Sequence, residues 1–279
     1  MKTMVMRLGV CLALVAGTGL LSIDAAAQNS GARAPRTLNV LFVGDSYTYV
    51  NNLGDMLAGI AAGIRGGPAI APTLAARGGV PLGWHLANGP ALMLIAERQW
   101  DHVVLQEHSL LGGYIIDGEP RMMPPRLFHE SARQLVQRVR DRKAAPIFLM
   151  TWPRRGREAI EEPILTNAYL DIGRELNVPV AAVGTAFKEV ASRQLGVDLL
   201  ARDGGHPSPA GTYLAACLLY ASMTGRSPVG APAIIQGHPY SRNGDNVDST
   251  RQVTLAELTP AIAAQLQQLA WELASSPQR

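Results

Sequence analysis

The sequence predicts a three-layer α/β/α sandwich built around a five-stranded parallel sheet. Three observations carry that reading. Short, branched apolar runs alternate with longer stretches of helical periodicity. The first of the short runs stops at a glycine, as buried parallel strands commonly do. No hairpin signal is read between successive runs, which favours crossover connections over a meander.

The first strand is expected at Leu38–Val43, ending at Gly44, and a helix over Leu53–Ile64 closes on Gly66-Gly67. Ala71–Ala76 reads as the second strand, followed by Gly78-Gly79 and a helix from Leu82 to Glu97. His102–Leu105 is the third strand, and the amphipathic run Leu127–Arg142 a helix bounded by Pro146. Ile147–Thr151, a helix over Pro163–Leu176 and a strand at Val178–Val183 complete the sheet. Further helices are expected at Ala186–Leu195, Pro209–Met223 and Leu255–Ala274. Ser227–Thr250, rich in Pro, Gly and polar residues, reads as a long surface loop. One domain, residues 37–279, is expected.

Ahead of it, Lys2 and Arg7 precede the apolar stretch Leu8–Leu21 and the small residues Ala25-Ala26-Ala27. A charged, then apolar, then small pattern is that of a signal peptide, expected over residues 1–27 with cleavage after Ala27 and a polar linker at 28–36. The apolar stretch falls short of the roughly 20 residues that span a bilayer, so no membrane span is expected after cleavage. The expected address is periplasmic or secreted. Cleavage removes Cys11 and leaves Cys217 alone in an apolar run, where it reads as core packing and no intramolecular disulfide can form.

Composition sets outer limits. The 279 residues are 47% hydrophobic and 17% charged, enough apolar content for a sizeable core. The formal net charge is only +3 and the Lys and Arg residues form no basic run, so no nucleic-acid partner is expected. The dinucleotide fingerprint, the P-loop lysine and zinc-spaced Cys/His clusters are all missing, so neither an organic cofactor nor a metal is expected.

Two blocks carry chemistry. The first strand delivers Gly44-Asp45-Ser46-Tyr47 to its carboxyl end, where open parallel sheets bind ligands. Near the C-terminus, Asp203-Gly204-Gly205-His206-Pro207-Ser208-Pro209 opens a helix. Asp203 and His206, three apart on a tight turn, allow the carboxylate to hold one imidazole nitrogen while the other faces outward. A serine hydroxyl needs such an oriented base to act as a nucleophile at neutral pH. Helix capping alone accounts for Ser208 and Pro209 but not for the His beside a carboxylate.

Together, Gly44-Asp45-Ser46 and Asp203-x-x-His206-Pro-Ser resemble the SGNH/GDSL hydrolase superfamily. The segments GDSYTYVNNL, VVLQEHS and DGGHPSPAGTYLAA resemble a mostly uncharacterised bacterial, exported subgroup of it, over about Asn39 to Gly225. The resemblance implies a flavodoxin-like sandwich with Ser46 as nucleophile, His206 as base and Asp203 as its orienting carboxylate. It implies an oxyanion hole of the Ser46 N–H, a glycine N–H after the second strand and a side-chain amide after the third. Gly79 best matches that glycine, with Gly78 as the one-residue-shifted alternative. The usual asparagine of the third block is absent, and Gln106 is expected to supply the amide, with Asn51 and Asn52 as alternatives. Tyr47, Trp84 and Trp152 are weighed as pocket walls or as packing. His85, His102, His129 and His238 show no partner pattern, whereas His108 stands near the site.

The expected activity is hydrolysis of small acyl esters, acetyl esters on carbohydrate above all, through a Ser-His-Asp acyl-enzyme. O-acyl transfer to glycans, a lipase or thioesterase role, and non-catalytic carbohydrate binding are the alternatives. Acyl chain length and oligomeric state are left open.

Overall fold

The computed structural model describes residues 1, 36–241, 244 and 246–276. The expected signal peptide beyond Met1 and the linker up to Pro35 lie outside the described residues. Pro35–Arg279 form one compact unit.

That unit opens with β1 (Thr37–Gly44), whose last five residues are buried, as a strand covered on both faces requires. A single turn, α1 (Ser46–Tyr49), and α2 (Leu53–Gly63) return the chain to β2 (Ala69–Ala76), parallel to β1. The long helix expected after β2 is broken into α3 (Leu82–Ala87) and α4 (Ala91–Glu97). Asn88-Gly89-Pro90 sits at the break, where a proline that cannot donate to the preceding turn starts a new helix. β3 (His102–Leu105) then enters on the other side of β1.

A small hairpin, β4 (Tyr114–Ile116) and β5 (Glu119–Arg121), follows. Its Asp117-Gly118 turn has φ of 51° and 81°, the left-handed pair that a two-residue hairpin loop demands. This corrects the reading that hairpins are missing. α5 (Arg126–Asp141), β6 (Ala145–Leu149), α6 (Glu158–Leu176), β7 (Val180–Ala181) and α7 (Val183–Ser192) complete the alternation. α6 begins five residues before Pro163, which lacks the N–H that would bond back to the exposed residue Ala159.

α8 (Pro209–Thr224) is capped by Ser208, whose hydroxyl accepts the Gly211 N–H at 3.1 Å. Most of α8 is buried, Cys217 included, and burial pushes that thiol well up from its ordinary range. The segment expected as a loop holds β8 (Ile234–Gly237), which pairs antiparallel with β9 (Val253–Glu257); α9 starts only at Pro260 and runs to Ser275.

The main sheet is five-stranded and all parallel in the order β2-β1-β3-β6-β7. Alternate residues of β1 go to opposite faces. Val40 and Phe42 pack with α2, α7, α8 and α9, while Leu41 and Val43 pack with α3, α4, α5 and α6. Two apolar cores on either side of one sheet are the expected three layers. The strand order reverses direction at β1, so the crevice at the carboxyl ends of β1 and β3 is the topological switch point. No described helix is long and apolar enough to cross a membrane.

Candidate active site

Everything in the crevice is set by how β1 ends. Asp45 caps α1, its carboxylate accepting the Tyr47 N–H at 2.9 Å, so the chain turns sharply and leaves Ser46 part-exposed. Gly44 makes room for the side chains packed against it. A Cβ there would lie 2.4 Å from Gln106 Oε1 and 2.5 Å from Thr48 Oγ1. The Ser46 N–H, in the first turn of α1, has no acceptor within its own helix.

The second block arrives from the far end of the chain. His206 Nε2 stands 2.8 Å from Ser46 Oγ, and His206 Nδ1 stands 2.6 Å from Asp203 Oδ2. The Asp203 Oδ1 accepts the N–H groups of Gly205 at 2.9 Å and His206 at 3.0 Å, which fixes the turn. Partial burial works against the ionised carboxyl, but these N–H groups and the His206 ring outweigh it and hold Asp203 below the usual carboxylate range. Trp152 donates to Gly205 O at 3.1 Å and Arg155 N–H to Gly204 O at 2.8 Å, anchoring the turn to the end of β6. Asn51 Nδ2 donates to Pro207 O and Thr212 Oγ1, both at 3.0 Å, so the stretch after α1 is tied to the stretch after His206.

The structure thus brings Ser46, His206 and Asp203 into one hydrogen-bonded line. Gly79, at φ 67° and with open space where a Cβ would stand, lines the same pocket. Gly78 does not line it, and a Cβ there would meet the Tyr49 hydroxyl at 2.9 Å.

Gln106 is the correction. Its amide does not face the pocket; the side chain is fully buried between β1 and β3. Nε2 donates to Asp45 Oδ1 at 2.8 Å and to Glu107 O at 2.7 Å, using both hydrogens. Oε1 accepts the Asp45 N–H at 2.9 Å and the Thr48 hydroxyl at 2.7 Å. Its work is to hold the Ser46 turn in place. The amides of Asn51 and Asn52 are equally committed, Asn52 donating to His238 O at 2.7 Å and capping α2.

Beside Gln106 lies a buried pair of carboxyl groups. Burial pushes Asp45 up to about 6 against the Tyr47 N–H and the Gln106 amide. It pushes Glu107 up to about 8, against hydrogen bonds from the N–H groups of Leu82 at 3.1 Å and His108 at 2.8 Å.

The aromatic residues are placed unequally. Tyr47 lines the pocket, but Trp152 is buried beneath it, stacked between Tyr47 at 4.7 Å and Phe187 at 4.5 Å. Trp84 is outside the pocket lining and carries Arg77 over its ring. Three of the unassigned histidines have partners: His85 with Gly44 O, His129 with Ala168 O, and His238 with Asp55.

The sequence reading missed Asp45, Glu107 and Arg154. Asp45 had a signal, since Asp immediately before a helix is a strong cap. Arg154 lines the pocket from the loop after β6, and nothing local marks it. No group of three or more His, Cys, Asp or Glu residues positioned to hold a metal occurs among the described residues. The pocket encloses about 940 Å³, at the upper end of small-ligand sites.

No protein-family model matches the sequence, and no curated protein matches it. Solved structures do. A DUF4886 family protein from Bacteroides uniformis is similar at TM-score 0.56 and 18% identity, over 87% of this chain and 96% of that one. A catalytic mutant of Axe2, an acetylxylan esterase from Geobacillus stearothermophilus, is similar at TM-score 0.52 and 18% identity, over 67% of this chain and 94% of that one. LAE5, an α/β hydrolase enzyme from the metagenome of Lake Arreo, is similar at TM-score 0.51 and 17% identity, over 68% and 96%. At these identities the likeness is one of fold. The chain shares the α/β fold of these structures, the parallel-sheet sandwich that the sequence resemblance implies.

Proposed function

We propose that the protein is a serine esterase that cleaves small acyl esters. The observation that carries this is the continuous line Ser46 Oγ–His206 Nε2 at 2.8 Å and His206 Nδ1–Asp203 Oδ2 at 2.6 Å, in the lining of a pocket. Ser46 Oγ attacks the ester carbonyl and gives its proton to His206 Nε2. Asp203 holds the ring in the tautomer that leaves Nε2 free to accept, and offsets the charge the ring acquires. The carbonyl oxygen becomes an anion facing the N–H groups of Ser46 and Gly79. As it collapses, His206 returns the proton to the departing alcohol, and the acyl group stays on Ser46. Water, giving its proton to His206, then adds to the acyl carbonyl; the bond to Ser46 Oγ breaks, Ser46 takes the proton back from His206, and the acid leaves.

Two features support an acetylated carbohydrate as substrate. A pocket of about 940 Å³ is far larger than an acetyl group needs, so it has room for a bulky alcohol portion. Tyr240 and Ile115 give it apolar walls beside the polar Asn51 and Ser241, the mix that suits a sugar ring. The structurally similar Axe2 is an acetylxylan esterase. Export belongs to the same proposal and rests on the charged, apolar and small-residue pattern of residues 1–27.

The test is release of p-nitrophenol from acetyl, butyryl and octanoyl esters by the protein and by Ser46→Ala. Turnover that falls with chain length and vanishes in Ser46→Ala is expected. Turnover retained by a folded Ser46→Ala would sink the assignment.

A further inference from the structure

The pairing of β1 with β3 decides what stands next to the nucleophile. Val43 pairs with Leu105, and both strands leave the sheet in the same direction. Ser46 and His108, each three residues beyond that pair, stand in the turns that follow these two neighbouring strand ends. Both line the pocket, with Gly79.

The state of the His108 ring is set by its neighbours. Nδ1 accepts the Leu110 N–H at 3.2 Å, so in the neutral ring the proton sits on Nε2. Nε2 has no acceptor among the described residues. Burial, aided by the positive charge of Arg154, pushes the ring's pKa down to about 4, so at neutral pH it is an uncharged donor. The backbone is pinned as well. The His108 N–H donates to Glu107 Oε1 at 2.8 Å, and Glu107 Oε2 accepts the N–H of Leu82, three residues after Gly79. One buried carboxyl group thus ties the turn carrying Gly79 to the turn carrying His108. Gln106 cannot serve as a donor here, because both of its amide hydrogens are used behind the site.

We propose that His108 is a catalytic residue whose Nε2–H donates to the oxyanion formed when Ser46 attacks, alongside the N–H groups of Ser46 and Gly79. The proposal rests on the serine-esterase reading and deepens it. A neutral imidazole suits this task, because it polarises the carbonyl without competing with His206 for the serine proton.

The test compares wild type, Ser46→Ala, His108→Leu and His108→Gln with p-nitrophenyl acetate. Ser46-dependent turnover by wild type must be seen first; without it the esterase reading fails and this inference falls with it. Given that turnover, His108→Leu is expected to lower kcat by about 10²–10³-fold with little change in KM, as losing one oxyanion donor does. His108→Gln, which restores an N–H at similar reach, is expected to recover most of the loss. A His108→Leu variant with wild-type kcat overturns the inference and leaves the esterase reading standing. A second measurement needs neither variant nor turnover. Long-range ¹H–¹⁵N spectra of the histidine-labelled protein report the ring tautomer, and a proton found on Nδ1 of His108 overturns the inference.

Discussion

Replacing Gln106 with leucine separates two roles that one residue name conceals. The side chain is fully buried and makes four hydrogen bonds, all within the frame around Ser46. Leucine fills the volume but leaves the Asp45 N–H, the Thr48 hydroxyl and part of the Asp45 carboxyl facing an apolar group. Each buried polar group left unpaired costs about 1–3 kcal/mol, so the total is roughly 4 kcal/mol once partial re-pairing is allowed for. For a chain of this size that lowers Tm by roughly 8–16 °C. Thermal and urea melts of wild type and Gln106→Leu measure it, with p-nitrophenyl acetate turnover read well below either Tm. A donor to the oxyanion behaves in the opposite way: kcat falls by about 10²–10³-fold while stability stays put. A Gln106→Leu protein melting within about 2 °C of wild type would refute the framing role.

Two further outcomes follow from the same geometry. Asp203→Asn keeps an oxygen for the Gly205 and His206 N–H groups but cannot accept from Nδ1 in the right tautomer, so kcat falls about 10⁴-fold with the fold intact; a loss under tenfold in p-nitrophenyl acetate assays argues against its orienting role. Glu107, raised from 4.5 to about 8, keeps its proton in the folded chain while the unfolded chain releases it, so wild-type stability declines as pH rises from about 4.5 to 8. Urea midpoints at several pH values should show Glu107→Gln declining less steeply over that window. Parallel curves would show that Glu107 does not hold that proton.

How much of this was legible in the sequence depends on how local each feature is. The apolar run into Gly44 and the Asp203–His206 turn are written in a few consecutive residues, and both lie where the sequence placed them. Gln106 was located on the right strand end but assigned the wrong direction. Past the last paired residue, sequence alone does not say which way a side chain points; here the bare Gly44 beside it opened the space that the amide fills. Asp117-Gly118 is a local hairpin signal, an Asp-Gly pair flanked by short strands. β8 and β9 were not readable in this way. Their partners are separated by a long excursion, and their pairing depends on packing against α2 and α8 rather than on a turn code.

The two halves of the Ser46–His206–Asp203 line differ in how they are inherited. Asp203 and His206 sit three residues apart, whereas Ser46 is 160 positions from His206. Damage elsewhere in the chain therefore cannot easily unpair the base from its carboxylate. It can only draw that intact pair away from the serine. The weak points for loss of function at a distance are thus the few bonds that moor the pair: Trp152 to Gly205, Arg155 to Gly204, and Asn51 to Pro207. Loosening these bonds shifts the pair relative to Ser46 while leaving His206 and Asp203 bonded to each other.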